Sequence, residues 1–240
     1  MFHLKDFMVF LILFGANLLQ AITGFAGTLI SMPPTIKLIG ADAAKALLNA
    51  IAQISSLMIV CSGFKHINWK EFGKIFLCMI IGMTVGVWIY SHFPLRELLA
   101  AYGIMIIGIA LKKLFKKAGT SHKMPAWFMI CILLAAGVIH GMFVSGGALL
   151  VVYAAMVLKD KEEFRATVAL IWVTTGFYLT VPQAVSGGFT PHVLSLLVVG
   201  IVPVLAGTLI GTCLVRKIPQ DIFMKITYVL LLLSGIMAIV

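Results

Sequence analysis

Two uncharged, apolar stretches of this chain are too long to be single straight helices across a membrane, and glycine interrupts each of them near its middle. Residues 7–36 form a run of 30 and residues 126–158 a run of 33. A hydrocarbon core takes roughly 20 residues of helix, and a straight helix of such a run would be about 45 to 50 Å long. The first run is interrupted by Thr23-Gly24-Phe25-Ala26-Gly27-Thr28, the second by His140-Gly141 and Ser145-Gly146-Gly147. Each is therefore either a long kinked helix or a hairpin of two shorter ones.

Six further runs, uncharged but for Lys225 near the start of the last, have the character of single spans: residues 46–64, 75–94, 98–111, 166–185, 192–215 and 222–240. A turn cluster, Pro182-Gln183 through Ser186-Gly187-Gly188 to Pro191, separates the fourth from the fifth. With 62% apolar and 11% charged residues, against about 25% charged in a soluble domain, the chain reads as an all-α polytopic membrane protein. Its net charge of +10 does not indicate nucleic acid, because the basic residues flank apolar segments instead of forming one basic face. The first run starts after Lys5 as a signal peptide does, yet it continues past an h-region without a small-x-small site and is expected to be retained. Cys61, Cys78, Cys131 and Cys213 form no C-x-x-C or metal spacing and are expected as small core residues.

Loop charge separates the two readings of the long runs, since Lys and Arg in short loops collect on the cytoplasmic side. If all eight segments cross once, nine basic residues fall on each side. If both long runs turn back, fourteen lie on one side, and Lys5, Lys37, Lys45 and Arg96 lie on the other. Letting only the first run cross gives fifteen against three, so charge does not settle that run.

An internal repeat does. A displacement of 120 residues places Gly27 on Gly147, Ala26 on Gly146, Leu29 on Leu149, Lys45 on Arg165 and Ala46 on Ala166. A displacement of 125 places Gly82 on Gly207, Gly86 on Gly211 and Pro94 on Pro219. The chain thus divides into residues 1–117, with a hairpin at 7–39 and spans near 44–64, 73–93 and 95–111, and residues 118–240, with a hairpin at 126–158 and spans near 164–184, 192–215 and 221–239. Three crossings after each hairpin turn the second half upside down relative to the first. Inverted-topology repeats of this kind build many secondary transporters, whose broken helices meet near the midplane.

A helix that begins inside the membrane offers free backbone N–H groups and a positive dipole end to an anion. The residues expected at such a site are Gly24, Phe25, Ala26 and Gly27 of the first break and Ser145, Gly146 and Gly147 of the second. Packing glycines are the competing reading. Asn49 and Gln53 share a helical face four residues apart, and Thr174 lies on the matching span of the second half. Buried among apolar neighbours, such side chains line a cavity or act as interhelical glue. His140 is the histidine well inside an apolar run and the candidate proton relay. Lys45 and Arg165 stand at equivalent span entrances, where they either attract anions or snorkel to the surface. Gly82-x-x-x-Gly86 and Gly207-x-x-x-Gly211 read as close-packing motifs. Trp69, Trp88, Tyr90 and Trp127 are placed as interfacial belt residues, with Trp172 deeper.

In the order and spacing of several motifs the chain resembles the TauE/SafE family over nearly its whole length. These are Gly24, Gly27 and Pro33, the stretch from Gly40 through Ala44 to Asn49, Gly141-Met-Phe-Val-Ser-Gly-Gly, and Gly207-Thr-Leu-Ile-Gly211 before Ile218-Pro219. Where the family has a run of three glycines in the first break, this chain has Phe25 and Ala26. The resemblance implies export of sulfite or a C2 organosulfonate across a cell inner membrane, by a multi-pass transporter and not an enzyme. A channel-like anion facilitator of the same fold is the alternative, and a membrane-embedded enzyme lacks a supporting constellation. No cofactor or metal is called for. The expected partners are a small anion, the lipid bilayer and, as an open alternative, further copies of the chain.

Overall fold

A computed structural model describes residues 4–94 and 125–219, apart from 159, together with scattered positions between 97 and 108 and between 222 and 236. The spans expected over 95–111 and 221–239 lie for the most part outside the described residues. The described chain is helical throughout. Its elements are α1 (Leu4–Thr23), α2 (Ala26–Ile39), α3 (Ala41–Gly63), α4 (Trp69–His92), α5 (Ala126–Phe143), α6 (Gly147–Val157), α7 (Lys161–Val185) and α8 (Pro191–Val215), with a single 3₁₀ turn at Phe64–His66 after α3. Among the described residues six helices, α1, α3, α4, α5, α7 and α8, are long and apolar enough to cross a membrane.

Both long runs break where the glycines stand. Gly24 has φ +85° and Val144, its counterpart at a displacement of 120, has φ +54°. A left-handed residue ends a helix because the next N–H no longer points along the axis; glycine takes that conformation freely, while a β-branched valine does so under strain. After each break the chain folds back. Gly27 sits so close to α1 that a Cβ there would fall within 2.7 to 2.9 Å of Gln20 and the Ala16 carbonyl, and Gly146 is pressed equally against Ala136 and His140 of α5.

The contacts at the two ends of the bundle show where each hairpin begins and finishes. At one end Asp6 of α1 meets His192 at the start of α8, and Gly188 just before α8 lies against Asp42 and Ala46 of α3. The start of α1 and the junction of α2 with α3 therefore share this end. At the other end Ala126 and Val157 border one cleft with Glu71 and Lys74 of α4, and Tyr153 donates to Glu71 over 2.6 Å. So α5 enters and α6 leaves at the end where α4 and α7 begin. The hairpins enter from opposite ends.

Close helix pairs hold this arrangement. A Cβ at Gly82 or Gly86 would strike the backbone of α5 at Leu134 and Val138, and one at Gly207 or Gly211 would strike α1 at Phe14 and Leu18. Both G-x-x-x-G motifs are thus places where bare backbone meets backbone, the packing device of helices that lack a hydrophobic driving force in lipid. Pairing is reciprocal: α4 packs on α5, α8 packs on α1, and α3 packs antiparallel on α7 at the centre.

Outward faces carry large apolar side chains, among them Leu77, Ile81, Val181, Val198 and Val202, as expected of a surface solvated by acyl chains. Cys61, Cys131 and Cys213 share that outer surface and Cys78 is half-buried, which corrects the expectation that they lie in the core. In a membrane protein an apolar residue is equally at home inside and outside. Trp69, Trp88 and Trp127 are exposed near helix ends.

The hairpin geometry makes a direct prediction. In a background freed of native cysteines, Lys5→Cys and Lys37→Cys should react with a membrane-impermeant maleimide from one side of oriented vesicles, and Pro125→Cys and Asp160→Cys from the other. Labelling of the members of either pair from opposite sides would contradict the fold.

Candidate transport site

The two turns meet on the inner face of α7. Phe25, only 1% exposed, packs on Gly147, where a Cβ would come within 3.2 Å of its ring. The Gly24 carbonyl accepts the Trp172 indole N–H at 2.7 Å, and the His140 ring lies 4.9 Å from that of Trp172, centroid to centroid. First and second break residues are thereby brought together, with Trp172 joining them. Gly24 also rests on the backbone of Arg165, 3.3 Å from the position of a Cβ.

Backbone donors at the first turn are already engaged. Thr23 Oγ1 accepts from the amides of Phe25 and Ala26, at 3.4 and 3.1 Å, and Gln20 Oε1 accepts from Gly27 at 3.0 Å. An anion approaching this turn would have to displace one of these side chains. At the second turn the Gly146 amide donates to His140 Nδ1 at 3.4 Å. Ser145 is buried beside it.

Gln20 and His140 are counterparts at the displacement of 120, and they do the same work. Gln20 accepts from its turn and donates through Nε2 to Ser56 on α3, at 3.1 Å. His140 accepts from its turn through Nδ1 and faces Thr175 on α7 through Nε2, at 3.3 Å. Thr175 gives its own hydroxyl proton to the Ile171 carbonyl at 2.6 Å, so the proton between His140 and Thr175 belongs to the imidazole. The network assigns His140 the neutral Nε2–H tautomer, with Nδ1 as acceptor.

Asn49 and Gln53 form a second polar group, on the α3–α7 seam. Asn49 Nδ2 donates to Gly176 O, Thr180 Oγ1 and Gln183 Oε1, at 3.1, 3.3 and 2.9 Å. Gln53 Nε2 donates to Thr180 Oγ1 at 3.2 Å. The structure does not bring Thr174 into either group; its hydroxyl bonds the Leu170 and Ile171 carbonyls of its own helix.

The family model described as the sulfite exporter TauE/SafE matches residues 9–238. The chain belongs to the TauE/SafE family. Membership makes it a membrane transporter. It is similar to the "Probable inner membrane transporter protein TsaS" of Comamonas testosteroni, 24% identical over 174 residues that cover 72% of this chain and 73% of that protein. No solved structure matches it.

In this TauE/SafE protein neither entrance cation snorkels. Arg165 is 3% exposed; its Nε donates to the Ala21 carbonyl at 2.8 Å and one terminal nitrogen pairs with Glu162 at 2.9 Å. A cation there complements the carbonyl end of α1, which terminates inside the bundle. Lys45 is 8% exposed, with Nζ 3.2 Å above the centre of the Tyr90 ring. The roles of Gln20, Trp172, Tyr90 and Gln183 emerge only here. Aligning Gln20 with His140 would have signalled the first of them, since both can accept from a turn while donating elsewhere.

Replacing Trp172 by Phe keeps most of the packing and removes the donor to Gly24. An unpaired buried carbonyl costs about 1 to 3 kcal/mol, so W172F should lower stability by that order in SDS-titration unfolding. A variant as stable as the parent would show that this bond does not hold the first turn.

Proposed function

We propose that this protein exports sulfite or a C2 organosulfonate across the bacterial inner membrane by alternating access between two inverted halves. The contact of Phe25 with Gly147 carries the reading, because it joins two broken helices that enter from opposite ends of the bundle. A barrier made from both halves opens to either end when one half rocks against the other. The reciprocal pairing of α1 with α8 and α4 with α5 supports the two-fold relation. The family description and the relative's printed name support export and the inner membrane. Lys65, Lys70, Lys74, Lys161, Arg216 and Lys217 surround the end where α4, α5 and α7 begin, which by the positive-inside rule is the cytoplasmic end.

On this reading the substrate passes the paired turns, Gly24 to Gly27 and Ser145 to Gly147, with Asn49 and Gln53 alongside. Purified protein in liposomes should pass sulfite. Gly147→Leu forces a branched side chain against Phe25 and should reduce that flux at least tenfold, whereas Gly147→Ala, with one atom to accommodate, should retain a measurable part of it. Full flux through Gly147→Leu would exclude the turns as the route.

His140 is the proposed proton relay. A second proton would occupy Nδ1, turn the acceptor for Gly146 into a donor, and release the turn. Glutamine at this position can copy both bonds, as Gln20 does in the first half. His140→Gln should therefore preserve folding and sulfite flux but lose acceleration by an imposed pH gradient. If the variant responds to the gradient as the parent does, His140 carries no proton.

A further inference from the structure

A cavity of about 280 Å³ lies at the end of the bundle where α3 begins and α4, α5 and α7 finish, beside the second turn. Asp42, Lys45, Tyr90, Gly141, Gln183 and Ser186 border it. Gln183 is 7% exposed, and Asn49 Nδ2 donates to its Oε1 at 2.9 Å. That bond fixes which way round the amide sits, so the outer atom is Nε2, a buried donor with no protein partner. Beside it the Lys45 ammonium rests on the face of Tyr90. No described carboxylate lies within ion-pair distance of Lys45. Tyr90 donates its hydroxyl to Asp42 at 3.1 Å, which ties that carboxylate to the exposed rim.

A buried amide donor and a buried ammonium are both costly to leave without an acceptor. A π face offsets part of the ammonium's lost hydration, but it accepts from only one side. The remaining ammonium hydrogens and Gln183 Nε2 are donors, whereas the deep acceptor, Gln183 Oε1, is taken by Asn49. Asp42 also acts on the Lys45 charge, but from the exposed rim and beyond ion-pair distance, where solvent screens it.

We propose that this cavity is a binding site for a small oxyanion, in which Lys45 supplies the charge and Gln183 Nε2 a directed hydrogen bond. The ligand would complete both groups at once, in a space that takes a sulfur or phosphorus oxyanion with part of its hydration shell. Gln183 links the site through Asn49 to Gln53 and Thr180, so an anion bound here sits at the head of the polar seam between α3 and α7. Only this placement on a route rests on the transport reading; binding itself does not.

The test is equilibrium binding to purified protein in detergent, read as the rise in melting temperature with sulfite or methanesulfonate. Dihexanoyl phosphatidylglycerol is titrated separately, since a lipid headgroup presents the same chemistry. Lys45→Met and Gln183→Glu should each bind the soluble anions at least tenfold more weakly, because a hydrogen bond to a charged group contributes about 1.5 to 3 kcal/mol. Gln183→Glu keeps the acceptor for Asn49, so it tests the site even if Lys45→Met does not fold. Lys45→Arg should bind nearly as the parent does. Parent-like affinity in Gln183→Glu, or stabilisation by the lipid alone, would overturn the proposal while leaving sulfite flux untouched. Binding without flux would instead reject the transport reading and keep the site.

Discussion

Backbone that stops being helical inside a membrane must find hydrogen-bond partners within the protein, since hydrocarbon offers none. Two such interruptions lie at the heart of this fold, and the surrounding structure serves to complete them. Arg165 bonds the Ala21 carbonyl near the end of α1, Trp172 bonds the Gly24 carbonyl, and Thr23 and Gln20 take the amides that open α2. The second interruption is closed by His140. Helix α7 supplies the partners that come from outside the hairpins, which explains why an arginine and a tryptophan are tolerated on its buried face.

The two turns solve the same problem with different chemistry. A glycine with φ +85° makes the first reversal and a valine with φ +54° the second. Glutamine spans from turn to neighbouring helix in the first half, histidine in the second. A glutamine cannot change its charge, whereas an imidazole can. The two turns are therefore held by side chains in the same place that differ in chemistry, an amide at one and an imidazole at the other.

Close approach is the other requirement. The pairs α4 with α5 and α1 with α8 leave no room for a Cβ at Gly82, Gly86, Gly207 or Gly211. Such contacts are dominated by van der Waals packing between bare backbones, and they tie each hairpin to a long helix distant from it in the chain. Helix α8 thereby packs on the first broken run and α4 on the second, and the polar seam of Asn49, Gln53, Thr180 and Gln183 runs between the two central helices.

Much of this was legible in the residue order. Run lengths beyond a bilayer's thickness and the glycines inside them located the hairpins, the balance of Lys and Arg favoured the fold-back, and the repeated spacing of G-x-x-x-G marked the close pairs. Those features are local, so one dimension suffices to read them. Apolarity misplaced the four cysteines, because in a lipid-solvated protein it does not distinguish core from surface. The snorkelling alternative for Lys45 and Arg165 failed for a related reason: whether a long cation reaches outward or folds inward depends on what lies beside it, here the Tyr90 ring and the end of α1. Likewise the pairing of Gln20 with Ser56, Trp172 with Gly24 and Asn49 with Gln183 joins residues 36, 148 and 134 positions apart. Sequence alone determined that the chain is a bundle of membrane-length apolar helices and where its two overlong runs break, since those follow from length, apolarity and glycine. Which donor meets which acceptor at the breaks was decided only by the packed structure, because that choice depends on distances between helices that no spacing along the chain encodes.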